Sequence, residues 1–99
     1  MEFTKTIDGN RMEVSPVGKL NAVNSPVFEK EVAELLEGIV FLTVDMSRVE
    51  YISSAGIRAL LFFQQTLDEI DGKMIVKNVP PIVRQIFEVT GLTELIGVE

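Results

Sequence analysis

Hydrophobic and polar positions alternate loosely from Met1 to Asp8, with Phe3 and Ile7 on one side. They alternate again from Met12 to Val17, where Met12, Val14 and Pro16 oppose Glu13, Ser15 and Val17. Two such stretches around Asp8-Gly9-Asn10 predict a β-hairpin. Pro16 places its strand at an edge or marks the strand's end. Gly18 to Asn24 then reads as a loop. Ser25-Pro26 is a helix start, with Ser25 as N-cap and Pro26 at the first helical position. Phe28, Val32, Leu35, Leu36 and Ile39 cluster at about 100° per residue, and Gly38 supplies the stop. Ile39 to Val44 lacks clean alternation and is rich in β-branched and aromatic residues. It predicts a central strand covered on both faces, with Asp45 at its carboxyl end.

A second helix is predicted from about Ser54 to Ile70. Gly56, Ala59, Leu60, Phe63, Leu67 and Ile70 form its apolar face at about 100° per residue. Gly56 and Ala59 let its first turn lie close to a sheet. Leu61 and Phe62 fall off that face and Ile57 lies at its border. These three either pack under a neighbouring element or form an apolar patch for another protein. Asp71-Gly72 ends the helix and Lys73 to Lys77 forms a short strand. Pro80-Pro81 opens a third helix, with Ile82, Ile86, Val89 and Phe87 inward and Gly91 as its stop. Leu92 to Val98 gives a last strand or extended tail anchored by Leu95 and Ile96. The order is β-β-α-β-α-β-α-β. Strands joined through helices imply parallel pairing by right-handed crossovers, and the hairpin adds an antiparallel edge.

Composition narrows the function. Of 99 residues, 46% are hydrophobic, enough for one core, and 24% are charged, so the chain is neither disordered nor membrane-spanning. No apolar run approaches a bilayer span, and Met1-Glu2-Phe3-Thr4-Lys5 lacks a signal-peptide pattern, so the expectation is a cytoplasmic protein. There is no cysteine and no histidine. That removes disulfides, thiolate chemistry, the usual zinc ligands and the usual general base. No cofactor or metal is expected, and an enzyme is not. The net charge is −6 with no Lys/Arg cluster, which argues against a phosphate-backbone binder and leaves protein partners. No glycine-rich phosphate loop supports a nucleotide sensor.

The remaining chemistry lies in Asp45 to Leu61, where strand, loop and helix start present Ser53 and Ser54 ahead of Ala55-Gly56. A helix N-terminus carries free N–H groups and a partial positive charge, so it suits a capping oxygen or a phosphoryl group. Capping alone would account for both serines. Asp45 at the strand end either satisfies the following loop's N–H groups or helps to shape the serine turn.

The element order, Gly18-Lys19-Leu20-Asn21-Ala22, Val44-Asp45-Met46-Ser47, Tyr51-Ile52-Ser53-Ser54-Ala55-Gly56-Ile57 and Phe87-Glu88-Val89-Thr90-Gly91-Leu92 together resemble the STAS domain, and among its members the stand-alone bacterial anti-sigma-factor antagonists. The resemblance covers nearly the whole chain, residues 1–99 as one STAS domain. It implies an α/β fold, a mixed sheet with an N-terminal hairpin and about three helices. It implies a switch: the unphosphorylated antagonist sequesters an anti-sigma factor with serine/threonine kinase activity and frees a sigma factor. The kinase modifies a serine at the start of the second helix, and a serine phosphatase restores it. Aligned on Gly56, that serine falls on Ser54, with Ser53 as the alternative and Asp45, Ala55 and Gly56 supporting the turn. The expected partner-binding set is Asn21, Asn24, Ser53, Ile57, Arg58, Leu61 and Phe62. The chain departs from the family where Asp is common, at Ser53 and Asn21. A STAS subunit of a lipid-transport, other transporter or signalling complex is the alternative.

Overall fold

The computed structural model describes residues Met1–Glu99. Strands β1 (Phe3–Asp8) and β2 (Arg11–Pro16) pair antiparallel from Phe3 opposite Pro16 to Asp8 opposite Arg11. The two-residue turn needs a left-handed residue, which Gly9 supplies at φ +61°. Parallel additions extend the sheet: β4 (Phe41–Asp45) on β2, β6 (Lys73–Lys77) on β4, and β7 (Gly97–Val98) on β6. The sheet order is β1-β2-β4-β6-β7. Pro16 therefore ends a strand rather than marking an edge. Two further strands, β3 (Gly18–Leu20) and β5 (Val49–Ile52), form a separate parallel pair. Both lie where the sequence predicts only connections, because runs of three and four residues are too short to show a period.

The main sheet is covered by helices on one face only, which corrects the expectation of two-sided cover for β4. Met12, Val14, Leu42, Val44, Met74 and Val76 are buried in the core. The residues between them are partly exposed. Charged side chains, not a helix, lie over that row: the Arg11 guanidinium sits 4.5 Å from the Phe41 ring centroid, and Lys77 pairs with Glu13 at 2.9 Å.

Helix α1 (Asn24–Ala33) buries Phe28 and Val32. It starts two residues earlier than predicted and ends well before Gly38. Ser25 is not its cap but a buried residue in the first turn. The Val23 and Asn24 N–H groups instead donate to Asn21 Oδ1 at 3.1 and 2.9 Å. Beyond Ala33 the chain tightens into three-residue turns, and Gly38 at φ +81° redirects it into β4. Helix α2 (Ser54–Asp68) buries Gly56, Ala59, Leu60, Phe63 and Leu67 as its pattern predicts. Ile70 lies past its end and is exposed. The rings of Phe3, Phe28 and Phe63 stack edge to face at 5.4 and 5.9 Å and tie β1, α1 and α2 together.

Helix α3 (Pro81–Thr90) begins at the proline pair and stops at Gly91, φ +74°. Its facing differs from expectation. Val83 and Phe87 are buried, Ile86 is half-buried, and Ile82 and Val89 are 56% and 82% exposed. The helix carries two apolar stripes, and spacing cannot choose between them. The stripe with the large Phe87 ring is the one that faces inward. After the short 3-10 turn Leu92–Glu94 the anchors are Leu92 and Ile96, whereas Leu95 is 61% exposed.

Candidate functional site

Parallel pairing of β3 and β5 sets Leu20 beside Ile52. The loop from β3 into α1 and the turn from β5 into α2 therefore emerge at the same end. Ser53 is the last non-helical residue, φ −101° and ψ 179°. Its side chain does not cap α2. Both its backbone N–H and its Oγ donate to the Leu20 carbonyl, at 2.9 and 3.1 Å. The Ser53 carbonyl accepts the Ile57 N–H at 3.0 Å.

Ser54, the first helical residue, is exposed, and its hydroxyl makes no hydrogen bond within the chain. The N–H groups of the first turn have no partner inside the helix. Gly56 explains how this turn sits so close to β3. A Cβ there would lie 2.6 Å from Ile52 Cγ1, 2.8 Å from the Leu20 carbonyl oxygen and 2.9 Å from Leu20 Cβ. Only glycine fits.

Asn21 and Asn24 stand beside the serines and are committed to the shape of their own loop. Besides the two bonds to Asn21 Oδ1, the Asn24 amide donates to the Lys19 carbonyl at 2.9 Å. Between them Val23 is 78% exposed. It lies outside the expected partner-binding set, and its one signal in the sequence is an apolar side chain between two loop asparagines. Along α2 the expected set divides. Ile57 and Leu61 are half-buried and pack on the core. Arg58 is exposed, and Phe62 is 41% exposed with its ring edge-to-face on Phe63. Ser54, Arg58 and Phe62 thus recur at four-residue steps on one outward stripe.

Asp45 belongs to another corner. It accepts the Ser47 N–H at 3.0 Å and the Asn78 side-chain amide at 3.2 Å, and it makes no hydrogen bond to the serine turn. It fixes the loop leaving β4 and ties it to the left-handed Asn78, φ +55°, ahead of α3. Partial burial pushes the Asp45 carboxyl up. The Ser47 N–H and hydroxyl, the Asn78 amide and the Lys77 charge outweigh burial and hold it below its ordinary value. Asp45 therefore contributes stability above the carboxylate range and loses it as pH falls through the folded pKa. Asp45→Asn keeps an acceptor but not the charge. It should be less stable than the parent at neutral pH, with the gap narrowing below about pH 4. Urea unfolding across that range measures this, and a gap independent of pH would contradict it.

A small mixed sheet with helices on one face and a serine turn at the start of α2 defines a STAS domain. The STAS family model matches residues 2–99, and the chain belongs to that family. It is 32% identical over 82 residues to BtrV of Bordetella bronchiseptica, a candidate anti-sigma factor antagonist, covering 82% of this chain and 71% of the relative. It is 25% identical over 97 residues to the anti-sigma-B factor antagonist of Listeria monocytogenes, covering 96% and 84%. Its fold is similar to that of the anti-sigma factor antagonist SpoIIAA in its unphosphorylated form. That match has a TM-score of 0.86 at 17% identity and covers 99% of this chain and 88% of the other. No helix is long and apolar enough to cross a membrane.

Proposed function

We propose that this chain is an anti-sigma factor antagonist. It acts by binding rather than by catalysis. Unmodified, it sequesters an anti-sigma factor and so releases a sigma factor. The finer circuit is part of the same proposal: the anti-sigma factor is a serine/threonine kinase that modifies Ser54, a serine phosphatase reverses the step, and the exchange takes place in the cytoplasm.

The observation that carries this reading is Ser54 itself, exposed and unbonded at the first position of a fifteen-residue helix that Gly56 seats against β3. A phosphoserine adds about −1.5 to −2 charges and three acceptor oxygens. At a helix N-terminus the dipole and free N–H groups tolerate that charge. At a protein interface the same charge must be desolvated, and it repels nearby carboxylates. Modification can thus leave the fold intact while removing the partner. Ser53 is the poorer acceptor, because its hydroxyl is engaged with Leu20. Arg58 and Phe62 on the outward stripe of α2, with Val23 in the loop after β3, offer a cation and apolar surface that suit a protein partner. A subunit role in a transport complex has less in its favour, since both relatives are named as anti-sigma factor antagonists, one of them as a candidate.

Incubation with the anti-sigma factor kinase and ATP, with intact mass and site mapping as the readout, tests the proposal. One phosphoryl group should appear on Ser54 and none on Ser54→Ala. Modification at Ser53 alone, or none at all, would overturn it.

A further inference from the structure

From the bonding around Leu20 we infer that Ser53 is a positioning residue. Its hydroxyl latches the serine turn to the loop Asn21–Asn24, so that the charge state of Ser54 is felt in that loop. The inference rests on the reading of Ser54 as the residue whose charge changes.

Three groups from α2 and the residue before it converge on one carbonyl. The Ser53 N–H and Ser53 Oγ both donate to the Leu20 oxygen, and the Gly56 Cα packs so closely that a Cβ there would come to 2.8 Å from it. On the other side of that carbonyl the chain enters a stiff loop. Asn21 Oδ1 accepts two backbone N–H groups, the Asn21 carbonyl accepts the Ser25 N–H at 2.9 Å, and the Asn24 amide returns to Lys19. The loop and the turn are each internally braced and are joined through Leu20. The hydroxyl adds a second donor to the same carbonyl and narrows the turn's freedom to tilt about the backbone bond.

This geometry restricts the chemistry of position 53. The Leu20 oxygen is an acceptor, so its partner must donate. Serine and threonine can do so. Alanine offers nothing, and an ionised aspartate would set a carboxylate against a carbonyl. The latch therefore requires a short side-chain donor at 53, which the serine hydroxyl supplies. It also keeps a carboxylate away from position 53, so a partner meets one new negative charge on modification rather than a second beside an existing one.

Amide hydrogen exchange on the isotope-labelled full chain tests this without any partner, so its failure is separable from failure of the proposed function. Ser53→Ala and Ser53→Asp should speed exchange of the position-53, Ile57, Val23 and Asn24 amides by about two- to tenfold, the range for losing one hydrogen bond. Ser53→Thr should restore parental rates, and Leu42 and Val44 should not change. Ser54→Asp should shift the Val23 and Asn24 amide resonances when Ser53 is present, and the shift should collapse in Ser53→Ala/Ser54→Asp. Unchanged exchange in Ser53→Ala, no rescue by threonine, or an equal shift in the double variant would each overturn the latch.

Discussion

Phe28→Ala is expected to lower the unfolding free energy by about 3–5 kcal/mol, the usual cost of truncating a buried phenylalanine. Phe28 is fully buried and its ring lies edge-to-face between Phe3 of β1 and Phe63 of α2. Such aromatic contacts contribute about 0.5–1.5 kcal/mol beyond area burial. Three elements lose their common contact at once, and the cavity left lies under α1, whose own packing rests on Phe28 and Val32. Domains of this size are stable by only about 5–15 kcal/mol, so the variant should fold marginally. Denaturant unfolding should show a lower midpoint with an unchanged slope. Val89→Ala, on the exposed stripe of α3, should stay within about 0.5 kcal/mol of the parent. A loss below about 1 kcal/mol in Phe28→Ala would contradict the packing described.

Ser54→Asp should move stability and binding in opposite directions. A carboxylate at the first helical position meets the positive end of α2 and free N–H groups, so folding should be unchanged or improved by about 0.3–1 kcal/mol. Binding to the anti-sigma factor should weaken by about 30-fold or more, the effect of roughly 2 kcal/mol for an unpaired charge at an interface. Ser54→Ala should fold and bind like the parent but should not be switched off by kinase and ATP. Loss of binding that tracked loss of stability would instead mean that residue 54 supports the fold.

The parts of this fold that are legible in the sequence are those carried by long periods or by glycine and proline. The hairpin at Gly9, the α2 face from Gly56 to Leu67, the proline start of α3 and its Gly91 stop all arise from local rules. The strand pair β3–β5 does not, because its partners are far apart in the chain and each is very short. The facing of α3 fails for a different reason: Ile82, Ile86 and Val89 repeat as well as Val83 and Phe87 do, and only the rest of the core decides between them. At the site, the place of the serine turn is readable from Ser53-Ser54-Ala55-Gly56. The separate duties of its members are not. Ser53 looks like an N-cap in sequence and reaches Leu20 in space. Asp45 lies a few residues before the turn, yet bonds to Asn78. Val23 is visible as a loop valine, but its exposure depends on which surfaces the folded chain leaves uncovered.

Calorimetric titration of the anti-sigma factor with two preparations of this chain tests the central claim most directly, one unmodified and one phosphorylated at Ser54 alone. Circular dichroism of each confirms the fold. The expected result is superimposable spectra, tight binding by the unmodified chain and binding weakened at least about 30-fold in the phosphorylated one. Equal affinity for the two preparations, with both folded, would contradict it.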